Sequence, residues 1–300
     1  MTTPRVAAIH DMSGFGRCSL TVAIPVLSAM GVQCCPLPTA FLSTHTGGFA
    51  GFTFLDMTDE MPGVVRHWKE LGLHFGGIYS GFLGSARQIG IVENFIRDFR
   101  GNGVVVVDPV MGDDGVVYQT YTPQMCGGMA RLAERADVIT PNLTEAALLL
   151  GVSYGELDGG AESCRAAAEK LSLGGRRSVV LTGVSVEAGS TGAMCFDAAT
   201  GRTEAIQTRR VDRDFHGTGD VFSSVLTGAL VQGRQLPEAV REAVEFVRAC
   251  AERTAASDLP RREGVDFEPL LGLLAKPVSS PLEGVEQADA RNVSEGGVRL

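Results

Sequence analysis

Three hundred residues are enough for one large α/β domain or two small ones. Hydrophobic residues make up 44% and charged residues 20%, a globular balance that excludes wholesale disorder. The formal charge of −9 argues against a nucleic-acid binder, which needs a basic face, and leaves any phosphate ligand to backbone amides, a few Arg or Lys, and metal ions.

The first ten residues carry one Arg and an apolar run too short for a signal peptide, and they predict a strand over 6–9. A Gly-containing turn leads to a helix over 17–30 and a strand over 32–37. A helix over 61–71, a short buried strand over 77–80 and a helix over 86–100 follow. Four valines between Gly103 and Asp108 make 104–107 the clearest buried strand. Helices over 123–134, 143–150 and 161–171 alternate with strands over 136–140 and 178–182. Segments 192–196 and 204–208 predict a hairpin that turns over 197–202. The helix over 221–231 places Val221, Phe222, Val225, Leu226, Ala229 and Leu230 on one stripe, and a long helix covers 237–255. This alternation predicts an α/β fold: a mostly parallel central sheet with helices on both faces, in one domain over 1–275. From Lys276 the apolar period is lost, and 276–300 reads as a flexible C-terminal tail.

No apolar run approaches the roughly 20 residues that cross a bilayer. The seven cysteines are odd in number and lack C-x-x-C spacing, so neither a disulfide framework nor a zinc site is expected. They read as small apolar fillers in a reducing compartment, and a cytoplasmic location is expected.

In open α/β sheets, ligands bind beyond the carboxyl ends of the strands. The strongest signal there is His216-Gly-Thr-Gly-Asp220 at the start of a helix. Gly217 and Gly219 let backbone approach a ligand, and the free N–H groups of Gly217, Thr218 and Gly219 favour an anion. Asp220 lies where it would take a proton from a substrate hydroxyl. After the valine strand, Asp108-Pro-Val-Met-Gly-Asp113 offers two carboxylates five residues apart, suited to a cation near phosphates. In Thr140-Pro-Asn142-Leu-Thr-Glu145, Asn142 and Glu145 fit a helix capping box, and Glu145 also offers a carboxylate to metal-bound phosphate. Ser13 follows the first strand; His45 and Thr46 follow the second and are placed to meet a polar ring. Each of these is also readable as an ordinary loop. No G-x-x-x-x-G-K-[ST] occurs, which argues against a P-loop kinase. The glycines near residue 14 lack the third glycine and the later acidic residue of a dinucleotide fold.

Together, and in this order, these motifs resemble the pyridoxal kinase branch of the ribokinase-like superfamily, over residues 5–272. The resemblance implies a three-layer sandwich and ATP-dependent phosphorylation of the 5′-hydroxymethyl group of pyridoxal, pyridoxine or pyridoxamine. It implies Asp220 as base, with Gly217, Thr218 and Gly219 as the anion hole. Mg²⁺ is implied at Asp108, Asp113 and Glu145, and ATP near Asp108, Tyr118, Thr140, Asn142, Glu145, Thr182, Gly217 and Gly219. Thr182 also resembles a monovalent-cation position, which implies K⁺. Ser13, His45, Thr46 and Asp220 resemble substrate contacts. Phe82 stands where many pyridoxal kinases carry Tyr. A homodimer is implied, with no nucleic-acid or membrane partner. The rival on the same fold is hydroxymethylpyrimidine kinase, which usually shows Cys in place of Asp220. A catalytically silent binder is the alternative from another class. The loop over 208–215 carries Arg209, Arg210 and Arg213, either to neutralise phosphates or as a solvated loop.

Overall fold

The computed structural model describes residues 2–157, 159–213 and 215–275. The chain begins with β1 (Arg5–Ser13), α1 (Ser19–Ala29), β2 (Gln33–Leu42), β3 (Phe54–Asp56) and α2 (Met61–Glu70). It continues through β4 (Gly77–Ser80), α3 (Ala86–Phe99), β5 (Val104–Val107), β6 (Gly112–Asp113) and β7 (Val116–Val117). Next come α4 (Pro123–Ala133), β8 (Val138–Ile139), α5 (Leu143–Leu150), α6 (Ala161–Leu171) and β9 (Ser178–Val184). The last elements are β10 (Ser190–Asp197), β11 (Arg202–Arg209), α7 (Thr218–Val231) and α8 (Leu236–Ala255). The tail expected over 276–300 lies outside the described residues.

Nine strands form one sheet in the order β11-β10-β9-β8-β5-β4-β1-β2-β3. The strands from β9 to β2 in that order run parallel. The expected β10–β11 hairpin adds to one edge antiparallel, and β3 adds to the other. Both faces are covered, so β5 and β8 are apolar throughout, and β1 and β4 turn polar towards their carboxyl ends. Val106 packs on the α1–α7–α8 side, and Val105 and Val107 pack on the α3–α4–α6 side. Burying each valine stabilises the fold by about 1.5–3 kcal/mol, an upper bound against an extended unfolded chain.

Four local features differ from the expectation, each for a physical reason. Strand β2 runs through Pro36 and Pro38 instead of stopping at residue 37. Gln33 N–H donates to Pro4 O on the β1 side, so the missing donors of Pro36 and Pro38 face the outer edge. That edge is paired by β3 only at residues 40–42. Helix α1 starts at Ser19, not residue 17, because Cys18 is extended and Ser19 sits at φ +55°. Helix α7 is buried all round from Val221 to Ala229, not along one stripe. Its small residues let it pass between the sheet and α1; a Cβ on Gly228 would lie 2.5 Å from Met30 Sδ. Finally, the stretch expected as a loop after Asp108 holds the β6–β7 hairpin, turned by Asp114 at φ +48° and Gly115 at φ +76°.

Strand order reverses at β1: the chain goes from β1 out to β2, then returns to β4 on the other side. Crevices open at such switch points, beyond the carboxyl ends of the strands. The end of β1, the start of α7 and the ends of β4 and β5 meet there.

Candidate active site

Gly217 caps α7 at φ +78° and ψ −1°, and Asp220 lies in the first turn. No side chain caps this end, so the amides of Thr218, Gly219 and Asp220 remain available to an anion. The Asp220 carboxylate is held at both oxygens. His10 Nε2 lies 3.0 Å from Oδ1, and Ser19 N–H donates to Oδ2 at 2.9 Å. Ser19 thus accepts a strained left-handed backbone, which costs about 1–3 kcal/mol, in order to present that amide.

Behind Asp220 lies a buried polar chain. His10 Nδ1 is 2.9 Å from Asp11 Oδ1. Ser19 Oγ donates to the same Asp11 oxygen at 2.6 Å, and Ser13 Oγ donates to Asp11 Oδ2 at 2.9 Å. Burial by itself would lower the His10 pKa; the Asp220 charge and the hydrogen bonds to Asp11 and Asp220 outweigh it and raise it to about 10. Burial would raise Asp11, but His10, Ser19 and Ser13 hold it below the usual carboxylate range. Neither His10 nor Ser19 was singled out from the sequence. A His-Asp pair at the exit of an apolar strand was the available signal.

Beyond β5, Asp108 is buried and accepts Ser223 Oγ at 3.0 Å, and Ser223 Oγ lies 3.1 Å from Thr140 Oγ1. Thr140, expected at ATP, is buried in this contact. Burial and the Asp220 charge push Asp108 up to about 7. Asn142 and Glu145 form the expected capping box, each accepting the other's backbone N–H at 2.9 Å. Asn142 Nδ2 also donates to Gly112 O at 2.8 Å, and Met111 N–H donates to Glu145 at 3.1 Å. The box therefore ties the Asp108–Asp113 loop to α5. Burial and the Asp108 charge hold Glu145 well above the usual range.

Asp113 is exposed on the β6–β7 hairpin. Tyr118 follows that hairpin and is 40% exposed; partial burial and the charges of Asp113, Glu145, Asp220 and Asp108 push its phenol upward. Thr182 lies two residues before the end of β9, its N–H donating to Pro141 O at 2.9 Å and its hydroxyl lying 3.5 Å from the same oxygen. Among the described residues, no three His, Cys, Asp or Glu side chains converge as a metal cage. The donor set still suits Mg²⁺, which takes one or two carboxylates and completes its shell with water and phosphate oxygens. Asp108 and Glu145 repel each other while their partners Ser223, Met111 and Asn142 carry no charge, and a divalent ion would relieve that.

At the end of β1, Ser13, expected at the substrate ring, is buried with its hydroxyl proton directed at Asp11. Thr46 is exposed, and Phe82 is half-buried with its ring 6.3 Å from Tyr121. His45 departs from the expectation. Its Nε2 donates to Arg262 O at 2.7 Å and its Nδ1 accepts from Gly47 N–H at 3.0 Å. Both nitrogens are engaged, so His45 clamps the loop and its ring packs on Phe49. In the basic loop, Arg213 lies over the Phe215 ring at 5.5 Å and bonds Ala255 O, while Arg209 and Arg210 are exposed.

A groove of about 550 Å³ lies elsewhere, lined by Arg165, Asp197, Arg202 and Glu204. It sits at the amino ends of the parallel strands, where Ala198 N–H meets Ser178, opposite the carboxylate network. Among the described residues, no helix is long and apolar enough to cross a membrane.

Similarity to known proteins follows the same lines. The family model described as phosphomethylpyrimidine kinase matches residues 24–261. A phosphomethylpyrimidine kinase candidate from Bacteroides thetaiotaomicron, crystallised with pyridoxal, is 42% identical, with a TM-score of 0.86, over 93% of this chain and 98% of that one. The pyridoxal kinase from Lactobacillus plantarum is 31% identical, with a TM-score of 0.82, over 91% of this chain and 97% of that one. A hydroxymethylpyrimidine/phosphomethylpyrimidine kinase of Haemophilus influenzae is 34% identical over 56% of this chain and 62% of its own length. The relatives thus include kinases of both kinds of ring, on the three-layer ribokinase-like fold expected from the sequence. With its sheet, the uncapped start of α7 and a match across most of its length, this chain belongs to the phosphomethylpyrimidine kinase family.

Proposed function

We propose that this chain transfers the γ-phosphoryl group of ATP to the 5′-hydroxymethyl group of pyridoxal, pyridoxine or pyridoxamine. The observation that carries this reading is Asp220 itself. It is a carboxylate, not a thiol, fixed at both oxygens at the mouth of an open helix N-terminus. Asp220 removes the hydroxyl proton while the Thr218 and Gly219 amides receive the phosphoryl charge that develops. Asp108, Asp113 and Glu145 would hold Mg²⁺, which when bound neutralises phosphate oxygens. The adjoining oxygens of Thr182 and Pro141 are the donor type that a K⁺ takes. Ser13, Thr46 and Phe82 border the ring, and Tyr118, Thr140 and Asn142 border the nucleotide. Seven free cysteines fit a reducing cytoplasm.

The test is ATP consumption by purified protein with Mg²⁺, offered pyridoxal, pyridoxine, pyridoxamine, hydroxymethylpyrimidine and ribose side by side. Turnover confined to the pyridines is expected. Turnover on hydroxymethylpyrimidine alone would move the reading to that kinase, a second reading supported by the Haemophilus relative. Turnover on none would leave the silent binder.

We also propose a homodimer through the β2–β3 edge, where Phe41, Phe54 and Leu55 are 48%, 42% and 61% exposed. Light scattering is expected to give twice the chain mass, and Leu55→Asp to shift it towards the monomer. A monomeric mass for the unaltered protein sinks this assignment.

A further inference from the structure

His10 has no part in the transfer as described, yet it is placed with care. It is 2% exposed and lies between two carboxylates, Asp220 from α7 and Asp11 on its own strand. Tyr79 from β4 meets the ring edge-on at 6.1 Å, and Asp108 beyond β5 is the remaining charge that senses it. The space for the ring is reserved by Gly81: a Cβ there would lie 2.0 Å from His10 Cδ2 and 2.1 Å from Nε2. Gly81 has no left-handed backbone, so the imidazole, not the turn, demands a glycine.

Against Asp220 Oδ1, which can only accept, Nε2 must carry a proton; the Phe82 N–H, 3.3 Å from the same nitrogen, is the longer and weaker contact. In the imidazolium, Nδ1–H donates to Asp11 Oδ1; in the neutral ring, Nδ1 accepts from Asp11 N–H at 3.0 Å. Both leave Nε2–H for Asp220 Oδ1, an oxygen that can only accept. Ser19 N–H fixes the other oxygen, so the carboxylate plane is set and its remaining lone pairs are left for a hydroxyl. The hydrogen bonds run on from His10 through Asp11 to Ser13, linking the base to the strand end that borders the ring.

We propose that His10 is a positioning residue for phosphoryl transfer: its Nε2–H holds the Asp220 carboxylate aimed at the substrate hydroxyl, with Asp11 anchoring the far side of the ring. The inference rests on the reading of Asp220 as base. The raised His10 pKa agrees with it, since the ring stays cationic at neutral pH.

The test compares His10→Leu, His10→Gln and Asp220→Asn for kcat, KM and pH profile. In His10→Leu, kcat is expected to fall roughly 10- to 100-fold, less than the roughly 10²- to 10⁴-fold that a general base contributes. Both KM values should hold within about twofold, the change expected when an interaction made only in the transition state is lost. The acid limb of kcat should shift, because the imidazole that contacts the base is gone. His10→Gln keeps an N–H donor at similar reach and should restore most of kcat; a merely structural role would move neither the acid limb nor this rescue. If His10→Leu keeps full kcat and an unmoved acid limb while Asp220→Asn is inactive, the inference is overturned and the base reading stands. If Asp220→Asn is fully active, the base reading itself fails. Should His10→Leu not fold, ring ¹⁵N shifts of the unaltered protein decide: Nε2 must be protonated, and its shift must change in Asp220→Asn. An unprotonated Nε2 overturns the proposal.

Discussion

Asp220→Asn is expected to lower kcat by roughly 10²- to 10⁴-fold, the span that general-base catalysis supplies. KM for ATP should change little, because Asp108 and Glu145 take their hydrogen bonds from Ser223, Asn142 and Met111 and none from Asp220. The substitution is nearly isosteric but not silent in the fold. Asp220 accepts from His10 at one oxygen and from Ser19 N–H at the other. An amide has one oxygen, so its NH₂ must face one of those two donors. Leaving one buried donor without a partner costs about 1–3 kcal/mol. Thermal unfolding should therefore show a lower Tm for Asp220→Asn, while the anion-binding amides of α7 remain. Steady-state kinetics and a melt on the same sample check both parts. A kcat within tenfold of the unaltered protein would remove Asp220 from the role of base.

The sequence carried the layers of the fold well, because both-face burial leaves a local mark. The four valines of β5 needed no partner to be legible, and the Asn142–Glu145 box is written within four residues. What it did not carry depends on distant chain. The start of α1 is set by Ser19, whose left-handed backbone is held by Asp220, 201 residues away. His10 reads as one more polar residue at a strand end until α7 brings Asp220 to its Nε2, 210 residues on. His45 shows the converse. Its position suggested a ring contact, but Arg262 and Gly47 engage both nitrogens, and no local pattern announces the arrival of residue 262. The β6–β7 hairpin was legible in principle, since Asp114-Gly115 is the residue pair that a two-residue hairpin turn favours. It was masked by the acidic residues around it, which read first as a cation loop.

Gly217→Ala is expected to be the most damaging single-methyl change in the site, and Gly219→Ala, two residues on, one of the mildest for stability. Gly217 sits at φ +78°, a conformation that costs a residue with a Cβ about 1–3 kcal/mol. Its Cβ would also lie 2.0 Å from Arg17 O, a backbone atom that no side-chain rotation can remove. Arg17 cannot retreat freely, because its N–H is bonded to Glu263 O at 3.0 Å and its guanidinium to Glu268 at 2.8 Å. Relief must come from moving the start of α7, which carries Asp220 away from His10 and Ser19. Stability should therefore fall by more than about 3 kcal/mol, into the tail of point-mutant effects, with kcat falling alongside. Gly219 has no positive φ and nothing within 4 Å of a built Cβ. Alanine inside a helix is favoured over glycine by about 1 kcal/mol, so Gly219→Ala should melt no lower than the unaltered protein. Any loss of turnover in Gly219→Ala then reports the methyl group standing in the anion's approach. Denaturant titration of both variants separates the two glycines. Equal stabilities would mean that the Arg17 contact does not constrain the helix start, and the account of how Asp220 is aimed would fall with it.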